Sequence, residues 1–362
     1  MFLMVPNVNK LSGVLTELGG SLVPEGHRST PALPRQGIKR RILIFGGGRL
    51  AKDLCDVLTG KWPQLTEVVG ILGCDSKQVG QCVAGHKIIG TYDQVSEIAD
   101  QYFVRTIAIC VEDRRATLPM QMLLDLKMRG RDIVDGTQLY EELAGRLSID
   151  HVKPSALIFS GRFRNRRLTM MCKRALDIGV SLVGLVVFFP PVLMLAVLIK
   201  VDSPGPIFYR RRRVGIRGRP FMIWKFRSMQ KDAEMEGIRR ASAQPPRICR
   251  VGRLLRKWRL NEIPQLINVL KGEMSLIGPR AERPKVVRQL RTFIPYFDIR
   301  HTVRPGISGW AQTRFRHGSP KEDVHVKLPY DLYYVQHLSL MLDFKIIIST
   351  IRVVLREGGR AH

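Results

Sequence analysis

Apolar and polar positions alternate in different ways along the chain, and each way predicts a different element. Residues 41–48 (RILIFGGG) form a short apolar run ending in glycines, the signature of a buried strand that stops in a tight turn. Comparable runs occupy residues 67–72 and 106–111, and another begins at 132–134. Between them, residues 50–58 and 92–101 carry helical spacing. Strands alternating with helices predict an α/β unit over residues 41–150, a doubly wound parallel sheet with helices on both faces. Residues 1–40 show no sustained periodicity and carry Pro31, Pro34 and Gly37, so they read as a mobile tail.

The pattern then changes. Residues 178–199 run for 22 positions without a charge, roughly 33 Å as a straight helix and long enough to span a bilayer. Pro190 and Pro191 stand near the centre, where missing N–H donors break a helix. Basic residues flank both ends: Arg162, Arg164, Arg166, Arg167, Lys173 and Arg174 before, Lys200 and the four arginines 210–213 after. Positive flanks favour the cytoplasmic side. A helix that enters, bends at the prolines and returns satisfies both facts. The other reading is a helix pair buried in a soluble core. Further on, Lys225 and Arg227 alternate with Trp224 and Phe226, as in a half-buried strand. Residues 253–270 are helical in pattern with Pro264 inside, predicting a kink or helix end there. Residues 344–355 are amphipathic, fitting either a membrane surface or a core.

Charge sharpens the division. Residues 1–150 hold 18 Lys and Arg against 17 Asp and Glu, whereas residues 151–362 hold 41 against 14. The net charge of +28 therefore sits almost wholly in the second part, which implies an anionic partner. A nucleic-acid binder would need exposed aromatics among the basic residues and has no use for residues 178–199, so no nucleic-acid partner is expected. The six cysteines show no C-x-x-C pair and are expected to be reduced and buried. No signal-peptide pattern opens the chain.

Two stretches carry candidate chemistry. In the first domain, Gly46, Gly48 and Ala51 fit G-x-G-x-x-A, and Asp75 follows the next strand. The turn could bring a helix N-terminus to a phosphate, with Asp75 on a ribose hydroxyl. Alternatively, the glycines serve close packing and Asp75 a turn. In the second domain, residues 256–266 (RKWRLNEIPQL) lead to 272–280 (GEMSLIGPR). Guanidinium groups grip phosphate oxygens as bidentate forks. A carboxylate among them can ligate a metal that neutralises a diphosphate, or attack phosphorus. An amphipathic helix with a solvated basic face is the plainer alternative.

The second stretch resembles the bacterial sugar transferase family, the polyprenyl-phosphate glycosyl-1-phosphate transferases. The resemblance rests on Leu260, Glu262, Pro264-Gln265-Leu266, Asn268-Val269-Leu270, Gly272-Glu273-Met274-Ser275 and Gly278-Pro279-Arg280. Ser203-Pro204-Gly205-Pro206, Lys225-Phe226-Arg227-Ser228-Met229 and Pro305-Gly306-Ile307-Ser308-Gly309-Trp310 extend it, so that it covers about residues 170–360. Two departures matter. The family's nucleophilic Asp is Asn261 here, and its Asp-Pro-Arg is replaced by Pro245-Pro246-Arg247.

The resemblance implies a Rossmann-like domain at 41–150, a basic linker at 151–170, and a mostly helical α+β transferase domain at 171–362 with a re-entrant membrane helix at 174–200 broken at Pro190 and Pro191. Longer members usually begin with several spanning helices, and no such run precedes residue 170. The implied reaction moves a sugar-1-phosphate from a UDP-sugar to polyprenyl phosphate with Mg2+, at the cytoplasmic face of the bacterial inner membrane. Asn261 and Glu262 take the catalytic positions, and Glu262 also the metal. Arg256, Arg280, Lys225 and Arg227 are expected on substrate phosphates, and Pro305, Gly306, Gly309 and Trp310 on the nucleotide. Asn261 admits three outcomes: Glu262 takes over, the lipid phosphate attacks directly, or the chain binds substrate without turnover as a scaffold in polysaccharide assembly. The transferred sugar and the oligomeric state stay open, a homodimer included.

Overall fold

The computed structural model describes residues 39–111, 118–148, 167–228, 249–294, 296–314 and 322–358. Nearly all of the expected tail at 1–40, most of the expected linker at 151–170, and the segment holding Pro245-Pro246-Arg247 lie outside the described residues. The chain divides into two compact units at Asp135/Gly136.

The first unit is a parallel sheet. Strands β1 (Arg40–Phe45), β2 (Thr66–Gly73), β4 (His86–Thr91), β5 (Thr106–Ile109) and β6 (Asp132–Asp135) stand in the order β4-β2-β1-β5-β6. The two-residue β3 (Cys82–Val83) pairs antiparallel with β4 at one edge. Strand β4 is absent from the apolar pattern because Ile88 and Ile89 are its sole large apolar residues. Helices α1 (Arg49–Lys61), α2 (Val95–Gln101) and α3 (Met120–Met128) complete the unit. Leu43, Phe45 and Ile107 pack on Val95, Ile98 and Leu123, and Phe45 stacks on Tyr92 at 4.1 Å.

The glycine-rich turn is a packing device in this geometry. Gly46 has φ +106, and a side chain there would meet the Cys110 backbone at 3.2 Å. Asp75 caps a 3-10 turn, accepting from the Lys77 N–H at 3.2 Å. The cysteines depart from expectation in burial. All are free, but Cys74, Cys82 and Cys172 are exposed, the first just past the end of β2, the second in the edge strand β3 and the last on a helix of the second unit. Burial pushes the Cys55 thiol up to about 12.

The second unit opens with α4 (Gly136–Ala144) and a bent pair, α5 (Arg167–Val187) and α6 (Phe189–Asp202), at 60° to each other. No single helix among the described residues is long and apolar enough to cross a membrane, whereas this pair passes the same test taken together. The break falls at Phe188, and the prolines occupy the first turn of α6, where absent N–H groups cost nothing. Helix α5 is polar inside and apolar outside. Lys173, Asp177 and Ser181 are buried, while Leu176, Val180, Val183 and Val187 are each more than half exposed. Lys173 pairs with Asp343 at 2.7 Å, Asp177 accepts from the Leu276 N–H at 3.0 Å, and Arg174 caps the Val269 carbonyl at 2.6 Å. The described residues therefore do not enclose the run as a soluble core would.

Strands β7 (Phe208–Val214) and β8 (Pro220–Phe226) form a hairpin. After α7 (Arg250–Lys257) come α8 (Gln265–Lys271), β9 (Ser275–Ile277), α9 (Pro284–Phe293) and β10 (Gly306–Ser308), then α10 (Trp310–Arg314), α11 (Glu322–Gln336) and α12 (Leu340–Gly358). The Gly-Pro-Arg and Pro-Gly motifs meet where β9 pairs with β10: Gly278 N–H donates to the Ser308 carbonyl and Gly306 N–H to the Pro279 carbonyl, at 2.9 and 3.0 Å. A Cβ on Gly306 would press on the backbone of Gly278 and Ser308. Gly306→Ala is therefore expected to destabilise the unit by about 3 kcal/mol, an overpacking cost, read as a lowered thermal midpoint. An unchanged midpoint would show that the two motifs are not held this tightly.

Candidate active site

The site begins with the β7–β8 hairpin. In an antiparallel pair, directly opposed residues share a face. Arg213 opposes Phe221, Arg211 opposes Ile223, and Tyr209 opposes Lys225. These six share one face, which brings Arg213, Ile223 and Lys225 to one cleft. On the opposite face, Arg210 covers Trp224 at 3.7 Å and Phe208 stacks on Phe226. Strand β8 would present a bare edge, but buried Asn268 covers it. Its amide donates to the Met222 carbonyl at 2.8 Å and its oxygen accepts from the Trp224 N–H at 3.0 Å.

A break in the basic stretch supplies the carboxylate. The helix expected over 253–270 stops at Lys257, well before Pro264. Arg259 adopts the left-handed conformation at φ 54, and Leu260–Glu262 makes a 3-10 turn. Pro264 then precedes α8 rather than ending a helix. The reversal swings Glu262 toward β8, where its Oε1 meets Lys225 Nζ at 2.9 Å and an Arg280 guanidinium nitrogen at 3.8 Å. Arg280 arrives from the other side, on the turn after β9, bridged to Gly306.

Burial by itself would raise the Glu262 carboxyl. Lys225 and Arg280, with the hydrogen bond from Lys225, outweigh it and hold the group below the usual carboxylate range. Burial pushes the Lys225 ammonium down, with Glu262 opposing the shift. Arg213 is pushed down to about 10, again by burial first, with Glu282 opposing and Arg280 adding to the shift. An ionised carboxylate and three cations thus share a partly buried cleft, where charges act more strongly than in water.

The structure brings together Lys225, Glu262, Arg280 and Gly306, with Asn261 half-buried on the same turn as Glu262. It places other expected residues elsewhere. Arg227 lies past the end of β8, 4% exposed, and its guanidinium donates to the Ser203 and Pro204 carbonyls at 2.6 and 3.1 Å. That geometry locks the C-terminal end of α6, since the last carbonyls of a helix need donors. Arg256 is exposed on α7 and donates to the Ser228 hydroxyl at 3.0 Å, away from the cleft lining. Trp310 is 6% exposed, gives its indole N–H to the Gly145 carbonyl at 2.7 Å, and is flanked by Tyr333 and Arg314. No face of the ring is open to a base. Gly309 packs on the Gly278 carbonyl, and Pro305 accepts from the Ser275 N–H at 2.9 Å.

Arg213 and Gln265 are the polar cleft residues that carried no expected site role. The signal for Arg213 lay in the hairpin register: counted back through the turn at 215–219, alternate positions 209, 211 and 213 must share the face of Lys225.

No cluster of three or more metal-ligating side chains lies among the described residues. Glu262 offers one carboxylate, whose Oε1 takes both cations and whose Oε2 has no partner among the described residues. That donor set fits Mg2+ delivered with substrate phosphates, the mode in which this ion keeps one or two protein carboxylates.

Residues 168–357 match the model of a family described as bacterial sugar transferase. Over 222 residues the chain is 43% identical to a UDP-N-acetylgalactosamine-undecaprenyl-phosphate N-acetylgalactosaminephosphotransferase of Aeromonas hydrophila, covering 61% of this chain and 52% of that protein. It is 30% identical to an undecaprenyl-phosphate glucose phosphotransferase of Komagataeibacter xylinus, covering 89% of this chain and 60% of the other. It is 36% identical to the exopolysaccharide production protein PSS of Rhizobium leguminosarum bv. phaseoli, covering 53% of this chain and 98% of that one. The chain thus spans little more than half the length of the first two relatives.

Proposed function

The chain belongs to the bacterial sugar transferase family, and from that premise we propose that it transfers a sugar-1-phosphate from a UDP-sugar to polyprenyl (undecaprenyl) phosphate. The step would initiate exopolysaccharide or O-antigen synthesis at the cytoplasmic face of the bacterial inner membrane. The observation that carries this reading is the Lys225–Glu262–Arg280 cluster in a cleft closed by Gly306. The α5–α6 pair, with its apolar outer side, supports a membrane seat for the lipid acceptor. An outward apolar stripe on α12, at Phe344, Ile347, Ile351 and Leu355, supports a surface contact beside it. The strand order of the first unit supports reading it as a Rossmann-like domain.

Lys225 and Arg280 hold phosphoryl oxygens, and Glu262 keeps both cations in place. Magnesium belongs to the proposal: Glu262 Oε2 would hold it, and it would neutralise the diphosphate. Glu262 is a weak nucleophile because two cations depress its basicity, and the amide of Asn261 is weaker still. The attacking group is therefore an oxygen of the lipid phosphate. A bond forms from that oxygen to the β-phosphorus, and the bond to the bridging oxygen breaks. The nucleoside monophosphate leaves with that electron pair, and Asn261 orients the reacting group.

The test uses purified protein, a radiolabelled UDP-sugar and undecaprenyl phosphate. Lipid-linked product is expected, with no release of nucleoside monophosphate when the lipid is omitted. Release without lipid would mean an enzyme-bound intermediate instead. No product with Asn261, but product from Asn261→Asp, would overturn the proposal in favour of a non-catalytic substrate binder.

A further inference from the structure

The site described above leaves two donors in the cleft unused. Gln265 opens α8 at the cleft wall and is 2% exposed. Its amide nitrogen is enclosed and has no hydrogen-bond partner among the described residues. The Nε of Arg213, another lining residue, is enclosed and unpartnered in the same way, although a terminal nitrogen of the same guanidinium is anchored on the Ala281 carbonyl at 3.0 Å. An enclosed N–H with no acceptor costs about 1–3 kcal/mol. Two of them on one cleft call for an acceptor that the described residues do not supply.

The cleft also says what that acceptor is. Its one carboxylate already serves Lys225 and Arg280. Arg213, Lys225 and Arg280 line the cleft with Glu262 as the lining carboxylate, and even with Arg213 also paired to Glu282 at 3.7 Å the lining stays net positive, which suits an anionic acceptor such as a diphosphate ester. Such a group has more acceptor oxygens than Lys225 and Arg280 can reach alone. A neutral amide contributes nothing to long-range attraction, so electrostatic steering does not account for Gln265.

We infer that Gln265 and Arg213 are binding residues for phosphoryl oxygens of a nucleoside diphosphate, Gln265 through its amide N–H and Arg213 through Nε–H. The inference rests on the function proposed above and deepens it, since it names neutral recognition of the diphosphate beside the charged kind.

The experiment measures binding of UDP, and separately of inorganic pyrophosphate, to the full-length protein and to Gln265→Met by calorimetry. The parent protein is expected to bind both. Gln265→Met is expected to bind each roughly tenfold more weakly, the loss of one hydrogen bond to a charged oxygen. Its thermal midpoint should stay level or rise, because an apolar side chain removes an unsatisfied donor; a purely structural glutamine would lower it. Affinity equal to the parent's overturns the inference. So does a loss confined to UDP, which would place Gln265 on the nucleoside. If Gln265→Met fails to fold, Gln265→Leu decides on the same scale, since it removes the donor without adding a charge; parent-like affinity there overturns the inference. A parent that binds neither ligand removes the functional reading beneath, and that is seen before any variant is compared.

Discussion

Glu262→Gln is expected to lower turnover by a factor on the order of 10³, the scale seen when one preorganised charge is removed from a reacting site. The side chain keeps its shape and can still accept from Lys225. What goes is the negative charge that holds Lys225 at 2.9 Å and Arg280 at 3.8 Å. Without it the two cations repel across the cleft, and burial favours the neutral form of Lys225. A neutral amine holds a phosphate oxygen poorly. Removing one partner of a buried pair also destabilises, by about 3–5 kcal/mol where desolvation is complete; the Lys225 side chain is 17% exposed, so the cost here should fall below that. Turnover is read as labelled lipid product, and thermal unfolding is measured beside it to separate the two effects. A folded variant that keeps turnover within tenfold of the parent would move the chemistry away from this cleft.

The sequence pattern was informative where the element carries its own periodicity. The runs at 41–48, 67–72 and 106–111 correspond to β1, β2 and β5, because a strand of a parallel sheet is apolar along its whole length. Strand β4 escaped because a Gly and three polar residues dilute it, and its place is fixed by pairing with β2. The cleft was legible in part for a similar reason. Glu262, Arg280 and Lys225 are charges in stretches otherwise built to be buried, and such positions point outward to a ligand. Arg227 has the same local look as Lys225. Its fate is settled by the end of α6, some 24 residues earlier in the chain, which no local pattern contains. The resemblance likewise puts Trp310 on the nucleotide, yet the carbonyl that takes its N–H belongs to Gly145, far earlier in the chain. The break at Arg259 had no Gly or Pro to announce it. A left-handed arginine is uncommon, and it is the residue whose conformation aims Glu262 at Lys225.

The α5–α6 pair carries the other large expected effect. Val183→Asp combined with Val186→Asp should release the protein from membranes. Both positions lie on the outer side of α5, at 63% and 68% exposure. A charge near the centre of a membrane helix costs about 2.5–3.5 kcal/mol on insertion scales. Two together cost about 5–7 kcal/mol, or roughly four to five powers of ten in partitioning. The folded unit should survive, because the contacts that hold α5 to it lie on the opposite side, at Lys173, Arg174 and Asp177. Those contacts also explain why so apolar a helix carries charge at all: its polar stripe docks on β9 and α12, whereas its outer valines and Leu176 are more than half exposed. Sedimentation with phospholipid vesicles gives the readout, with Val183→Leu as the control that keeps the surface apolar. If the doubly charged variant pelleted with vesicles as the parent does, the outer side of α5 would not be in lipid, and the lipid acceptor would have to reach Glu262 by another route.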